Sequence, residues 1–198
     1  KMEDVTKVLK KSFAVVQTTV KEWEETQKGS IAVLESLFNL SEQLQCCEEG
    51  SFEQELKDEF PDLKSRVLFK IMKALEGKIE VLREVLHTFE RLRNNLEEVR
   101  NTVLQIYTEC SDKIDLESLT MGSPTCPPHA LMLEWIVDVS GWYNTLYEQK
   151  KDLLNNIRYN DTPYFQTLAR KWKDDSSLYR VQGILEQVSL FLSDTLPT

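Results

Sequence analysis

Apolar residues recur every three or four positions between residues 82 and 106. The recurring positions are Leu82, Val85, Phe89, Leu92, Leu96, Val99, Val103 and Ile106. This spacing places them on one side of an α-helix, whereas a strand would alternate its faces every second residue. Charged and amide residues fill most of the positions between, as in coiled coils and helical bundles. The pattern therefore predicts a long amphipathic helix.

The same periodicity predicts a first helix that begins near Asp4. Its apolar stripe comprises Leu9, Phe13, Val16, Val20 and Trp23, and it continues in phase through Leu34, Leu37 and Leu44. Continuous phase favours one helix of about 45 residues, whose middle is weakened by Gly29 by about 1 kcal/mol relative to Ala. A break within residues 27–30 is the alternative.

A second helix of similar length follows a connection at about residues 47–60. Pro61 suits its first turn, where a missing backbone N–H costs nothing, and the helix runs to about Cys110. Two long helices joined by a short connection predict an antiparallel hairpin.

The remainder of the chain is predicted to be helical after a proline-rich, irregular segment at residues 111–128. A third long helix is expected from His129 to Tyr159, and a shorter one begins at Thr162-Pro163, a hydroxyl cap followed by proline. The last helix carries Leu178, Val181, Leu185, Val188 and Leu192. The expected fold is all-α: one domain over 1–198, with a long hairpin (1–110) packed against the helices of 129–198 as an elongated bundle.

Composition and charge narrow the class of protein. Six glycines and six prolines in 198 residues favour long uninterrupted elements. The net charge of −9 repels nucleic acid and anionic lipid on average. Residues 42–62 are strongly acidic, with Lys57 as the single basic residue. We therefore hypothesise that this acidic run, through Glu53, Glu55 and Glu59, meets a basic partner surface.

Motifs for catalysis or metal binding are incomplete. The glycine-rich phosphate loops are absent, and the chain has two histidines. Glu84-x-x-His87 is half of the di-iron signature of helical bundles, but a second copy is missing. Cys126-x-x-His129 offers two zinc ligands where a structural site needs four. We predict no catalytic, cofactor-binding or metal residues, and a helical-bundle metal enzyme stands as an alternative.

Basic residues and cysteines bear on nucleic-acid binding and location. Lys150-Lys151 and residues 170–173, with Trp172 as a stacking face, are a possible phosphate-binding set. The favoured interpretation is a solvated basic face whose tryptophan packs inward, with no direct contact to nucleic acid. The spacing of the four cysteines does not suggest a disulfide framework, which favours reduced thiols in the cytoplasm or nucleus.

The third helix carries more apolar residues than one buried face requires. Its predicted core stripe is Met132, Trp135, Val139, Trp142, Leu146, Leu153 and Ile157. Leu133, Val137 and Tyr147 widen the apolar arc to about 220°, whereas a core-facing side needs little more than ~100°. Either the carboxy-terminal helices cover this helix, or the edge at Leu133, Val137 and Tyr147 is exposed for another helical subunit.

Short motifs in a fixed order give a family resemblance over nearly the whole chain. They are residues 9–11 before Phe13, residues 40–45, 60–64, 105–107 and 132–136 with Asp138, then Tyr143, Lys150, the pair 153–154, the pair 171–172 and the closing residues 188–192. Together they resemble the AIRIM family of ribosome maturation factors, which partner AAA ATPases.

The resemblance implies a non-enzymatic subunit without cofactors. Members associate with the two spermatogenesis-associated AAA ATPases of the Afg-two type and with the helical protein CINP. The assembly acts on pre-60S particles in cytoplasmic maturation of the large ribosomal subunit, and it is linked to turnover of replication-fork proteins. A cytoplasmic and nuclear location is expected, without membrane attachment. A generic coiled-coil tethering or cytoskeletal protein fits the periodicity equally well.

Overall fold

A computed structural model describes residues 2–51, 54–110, 119–176 and 178–193. Its helices are α1 (Met2–Glu49), α2 (Gln54–Glu59), α3 (Leu63–Cys110), α4 (His129–Asn155), α5 (Thr162–Trp172), α6 (Tyr179–Gln187) and α7 (Ser189–Ser193). The prediction of an all-α fold is confirmed. Across these described ranges, no helix combines the length and apolarity that crossing a bilayer would require.

Helix α1 is continuous through Gly29, so the single long helix is confirmed and the predicted alternative of a break is wrong. The predicted stripe residues of α1 are all buried. Between Trp23 and Leu34 the stripe is filled by Gln27 and Ser30, which are buried polar residues. Hydrophobic periodicity does not reveal such positions, because their burial depends on hydrogen-bond partners elsewhere in the fold.

Helices α1 and α3 form the predicted hairpin. Near the start of α3, the Lys64 ammonium donates to the carbonyl oxygens of Glu48 at 2.8 Å and Gly50 at 2.9 Å. These carbonyls lie at the carboxy-terminal end of α1, where helical carbonyls lack partners of their own. The connection contains the short helix α2, which was not predicted, and α3 begins at Leu63, just after Pro61.

The chain divides into two compact units. The first unit comprises the described residues within 1–25, 89–148 and 175–198, and the second those within 26–88 and 149–174. Helices α1, α3 and α4 each contribute a segment to both units.

Three aromatic residues form the centre of the first unit. The centroid of the Trp23 ring in α1 lies 4.3 Å from the centroid of the Phe89 ring in α3. It lies 4.8 Å from the centroid of the Tyr143 ring in α4, and these two rings meet edge-on. All three side chains are fully buried. Burial, followed by the nearby charges of Glu24 and Asp175, raises the pKa of Tyr143 well above its usual value. The hydroxyl is therefore neutral, and the cluster holds three helices together.

The second unit is centred on Trp172, at the end of α5. Its indole N–H donates to the Ser30 hydroxyl at 3.0 Å, and its carbonyl accepts from the amide of Gln27 and, at 2.6 Å, from the Lys150 ammonium. That ammonium lies 5.0 Å from the centre of the indole ring. A cation is favourable at a helix carboxy terminus, and so the buried lysine is accommodated.

The buried face of α4 differs from the predicted stripe. The residues that it buries are Met132, Leu133, Ile136, Val139, Ser140, Tyr143, Leu146, Tyr147, Lys150 and Leu154, with His129. At 100° per residue this face is rotated by roughly 70° from the predicted one. Trp135, Trp142, Leu153 and Ile157 are partly exposed, and the helix ends at Asn155 rather than Tyr159. The prediction assigned the tryptophans to the buried face because they are hydrophobic, and it left out Ser140 and Lys150 because they are polar. Tryptophans are large, however, and are seldom fully buried.

The last two predicted helices differ from the prediction in the residue that caps α5 and in the division of the final helix. Asp161 caps α5 by accepting the Tyr164 amide N–H at 3.0 Å, while the hydroxyl of Thr162 donates to the Ser41 carbonyl at 3.2 Å. The predicted last helix is divided into α6 and α7 at Val188. Ile184 and Phe191 are buried in place of their predicted neighbours, Leu185 and Leu192.

Candidate partner-binding surfaces

The predicted edge on α4 is exposed at one of its three positions. Val137 is 39% exposed, whereas Leu133 and Tyr147 are 9% and 4% exposed. The expectation of an exposed edge is therefore wrong for Leu133 and Tyr147. The guanidinium of Arg93 in α3 lies 4.9 Å from the centre of the Tyr147 ring and covers it. Burial, followed by the hydrogen bond with Glu90, raises the pKa of Tyr147, and the charge of Arg93 opposes the shift.

The acidic connection is described in part. Glu53 lies outside the described residues, and so does the side chain of Glu55, whose backbone belongs to α2. Glu59 is exposed at the end of α2, beside Phe60, which is 52% exposed. Glu59 is therefore accessible to solvent. That these glutamates bind a partner stays a prediction.

A second surface, not predicted from the sequence, lies where α6 meets α4. The guanidinium of Arg180 lies 5.6 Å from the Tyr179 ring centre and 6.0 Å from that of Trp142, and its Nε donates to the Tyr179 hydroxyl at 3.1 Å. Tyr179 is 68% exposed. The hydrogen bond to Tyr179, with a smaller contribution from the charge of Asp138, raises the pKa of Arg180. We name Trp142, Tyr179 and Arg180 the Arg180 cluster.

Tryptophan, tyrosine and arginine are the residues most enriched at binding hot spots. In the Arg180 cluster the guanidinium already contacts both rings, so these side chains would lose less conformational entropy when a partner binds. The sequence carries a weak signal for this surface, the adjacent Tyr179 and Arg180 at a helix start. Their proximity to Trp142, which precedes them by more than thirty positions, is a property of the tertiary structure.

The residues considered for metal binding are dispersed. Glu84 and His87 are exposed on α3. His129 is buried and its Nε2 lies 2.9 Å from the Thr6 hydroxyl, while Cys126 is half-buried with its Sγ 3.5 Å from the Pro127 carbonyl oxygen. Burial lowers the pKa of His129 and favours its neutral form. Among the residues that the structure describes, no group of three or more His, Cys, Asp or Glu is placed to hold a metal ion.

The basic residues considered for nucleic-acid binding do not form one exposed set. Trp172 packs inward, as the favoured interpretation expected, and its ring is unavailable for stacking on a base. Lys150 is also buried, so its predicted solvation is wrong. Lys173 is exposed, with its ammonium 3.9 Å from a Glu35 carboxylate oxygen. The arrangement of Lys150 and Trp172 therefore supports packing rather than phosphate recognition.

Comparison with known proteins identifies the family. A family model described as CA109-like, ribosome biogenesis protein C1orf109-like, matches residues 3–190. The chain belongs to this family. The match covers both units and all the long helices, so it concerns the whole fold rather than one heptad-patterned helix.

Similar proteins from vertebrates carry a common name. A protein from Xenopus tropicalis is 33% identical over 192 residues, which cover 94% of each chain. A protein from Homo sapiens is 32% identical over 194 residues, covering 96% of each chain, and one from Mus musculus is 31% identical, covering 96% of this chain and 89% of its own. All three are named AFG2-interacting ribosome maturation factor. The resemblance to the AIRIM family is confirmed.

Proposed function

We propose that this protein is a non-catalytic adaptor subunit of an AAA ATPase complex that acts in cytoplasmic maturation of the large (60S) ribosomal subunit. The observation that carries the proposal is the identity of 31–33% to proteins named AFG2-interacting ribosome maturation factor, over nearly the full chain. A generic tethering coiled coil would share heptad spacing with many proteins, but it would not be expected to match one family from residue 3 to residue 190.

The direct partner in this proposal is an AFG2-type ATPase, and a CINP-like helical protein is a second subunit. Pre-60S particles are reached through the complex rather than by this chain, which is consistent with its net charge of −9. A role of the same complex in replication-fork protein turnover, and a location in both cytoplasm and nucleus, complete the proposal.

The solvent-facing side of α4 is the surface that we assign to the ATPase. Val137 and Trp142 border this side, about 140° apart at 100° per residue. A partner lying across it would contact both Val137 and the Arg180 cluster, and both belong to the first unit. Leu133 and Tyr147, being buried, would position α4 for this contact.

Capture of the purified ATPase by the full chain tests the assignment. Val137→Asp is expected to leave the melting temperature nearly unchanged while abolishing capture. The double variant Tyr179→Ala, Arg180→Ala is expected to weaken binding about 30-fold, which corresponds to the ~2 kcal/mol of a hot spot. The matched control is Val15→Asp, because Val15 is 42% exposed on α1 in the same unit.

The outcomes distinguish a failure of the proposed adaptor function from a failure of the assigned surface on α4. If the wild-type chain fails to capture the ATPase, the adaptor function is wrong. If it captures the ATPase and none of the variants changes the affinity, the function stands and the assigned surface is wrong. A large drop in melting temperature for Val137→Asp would place that residue in the core.

The acidic connection supports a further expectation about association kinetics. Reversing Glu53, Glu55 and Glu59 to lysine should slow association with a basic partner surface at low salt, because long-range attraction is lost. Association rates measured by biolayer interferometry at low and high salt would show it. An on-rate that is the same as that of the wild type would remove this hypothesis.

The alternative of a helical-bundle metal enzyme has one pair of residues in its favour, Glu84 and His87. Elemental analysis of the purified chain distinguishes the two functions. Stoichiometric iron, manganese or zinc that is lost on Glu84→Gln and His87→Gln substitution would overturn the adaptor proposal.

A further inference from the structure

A cleft in the second unit carries an unusual group of exposed apolar side chains. Its volume is about 340 Å³, and Phe69, Met72, Lys73, Glu76 and Tyr159 line it. Phe69 is 67% exposed, Met72 46% and Tyr159 38%. Single exposed apolar residues are ordinary on protein surfaces, but three around one concavity indicate a binding site. We refer to it as the Phe69 cleft.

The packing of α3 does not account for these apolar residues. This part of α3 buries Leu75, Ile79 and Leu82 against the core. At 100° per residue, Phe69 is rotated about 120° from Leu75 and points away from that core. Phe69 is 67% exposed and therefore contributes little to the packing of this part of α3.

Lys73 lines the cleft, and two further exposed cations lie near it on α3. Arg66, Lys70 and Lys73 follow one another at spacings of four and three, and so they form a row along α3 beside the apolar residues. Within the part of the chain that the structure describes, none of these three cations has a carboxylate at ion-pair distance. Their charges are thus available to an incoming acidic group.

We propose that the Phe69 cleft binds an amphipathic helix of a protein partner, with apolar side chains seated against Phe69, Met72 and Tyr159 and acidic side chains along the basic row. From Phe69 to Glu76 the cleft extends about 10 Å along α3, which equals two turns of a bound helix. Apolar residues at positions i, i+3 or i+4 and i+7 of such a helix would face it.

Two other occupants fit the cleft less well. An anionic membrane would meet Glu76 within the cleft and the net charge of −9 of the whole chain. A second copy of this chain would carry the same −9, and the two copies would repel each other. A short acidic helix places its negative charge beside the basic row, and its total charge is too small to cause strong long-range repulsion.

The proposal is independent of the assigned ATPase surface, which belongs to the first unit. It is tested with the full chain and a synthetic helical peptide of about sixteen residues, long enough to populate the helix. The peptide carries leucines at the facing positions and glutamates along one flank. In the matched control peptide lysines replace the glutamates and the leucines are kept. Binding is followed by fluorescence anisotropy of the labelled peptides.

We expect the acidic peptide to bind at least tenfold more tightly than the basic one, with an affinity that falls as salt is added. Phe69→Ser with Met72→Ser should weaken binding at least tenfold without lowering the melting temperature, because both side chains are exposed. Val81→Ser is the matched control on the same helix, since Val81 is 40% exposed but does not line the cleft. Lys70→Glu with Lys73→Glu should reverse the preference in favour of the basic peptide.

Several results would overturn the proposal. It is wrong if neither peptide binds, if both bind equally, or if the acidic peptide binds the Phe69→Ser, Met72→Ser variant as well as it binds the wild type. Self-association in sedimentation that this double variant abolishes would identify a second copy as the occupant. Stronger binding to phosphatidylserine vesicles than to the acidic peptide would identify a membrane. Each of these results leaves the ATPase capture experiment unaffected.

Discussion

Replacement of Phe89 by alanine is the most direct test of how α1 and α3 pack in the first unit. Phe89 is fully buried, and its ring lies 4.3 Å from that of Trp23, which in turn contacts Tyr143 edge-on. Truncation to alanine removes the ring, opens a cavity between three helices and deletes one aromatic pair.

The expected loss lies within the usual range for a buried phenylalanine. Truncating a buried phenylalanine costs about 3–5 kcal/mol, and an aromatic pair contributes about 0.5–1.5 kcal/mol beyond its buried area. Trp23 and Tyr143 are both fully buried, and so they have little freedom to move into the cavity. We therefore expect about 4 kcal/mol for Phe89→Ala, which is a fall of roughly 8–16 °C in melting temperature for a chain of this size. Phe89→Leu should cost about 1–2 kcal/mol, because most of the volume is kept.

Urea denaturation followed by far-ultraviolet circular dichroism measures these losses. Glu98→Ala is the matched control, since Glu98 is exposed on the same helix, and it should stay within about 0.5 kcal/mol of the wild type. Glu90 is a poorer control, because it is half-buried and hydrogen-bonds with Tyr147. A loss below about 1 kcal/mol for Phe89→Ala, or equal losses for Phe89→Ala and Glu98→Ala, would refute the packing described.

Three further predictions concern single positions. Gly29→Ala should stabilise the chain by up to about 1 kcal/mol in urea denaturation, since the added methyl group meets nothing within 4 Å, and a destabilisation would show that the helix is strained there. Trp172→Phe should cost about 1–3 kcal/mol, because the Ser30 hydroxyl loses its buried donor, and an unchanged midpoint would refute that role. Burial lowers the pKa of His129, so below about pH 6.5 the unfolded chain binds more protons than the native one. Acidification therefore lowers the free energy of unfolding, by at most about 1.4 kcal/mol per pH unit from this group. His129→Gln should flatten the stability profile between about pH 7.5 and 5.5, and a profile as steep as that of the wild type would refute this role of His129.

The surfaces that could bind a partner were predictable in part. Val137 is exposed, as one of the two alternatives for α4 expected, because it lies far from the buried face of α4 in the helical repeat. Leu133 and Tyr147 are buried, and the Tyr147 ring is covered by Arg93 of α3, a charged residue that sequence patterns assign to solvent. The Arg180 cluster and the Phe69 cleft were not predictable from the sequence, because each joins residues from distant parts of the chain.

What the sequence by itself determined is the local order of the chain: an all-helical protein, the continuity of α1 through Gly29, the inward face of α3 and the family. The three structural properties follow from apolar residues spaced three and four positions apart, a pattern that each helix carries in its own sequence. The family follows from short motifs in a fixed order. Tertiary structure decided which side of α4 is buried, and it buried Gln27, Ser30 and Lys150 against Trp172. A polar side chain is buried when a distant group satisfies its hydrogen bonds, and that group is brought near only when the chain folds.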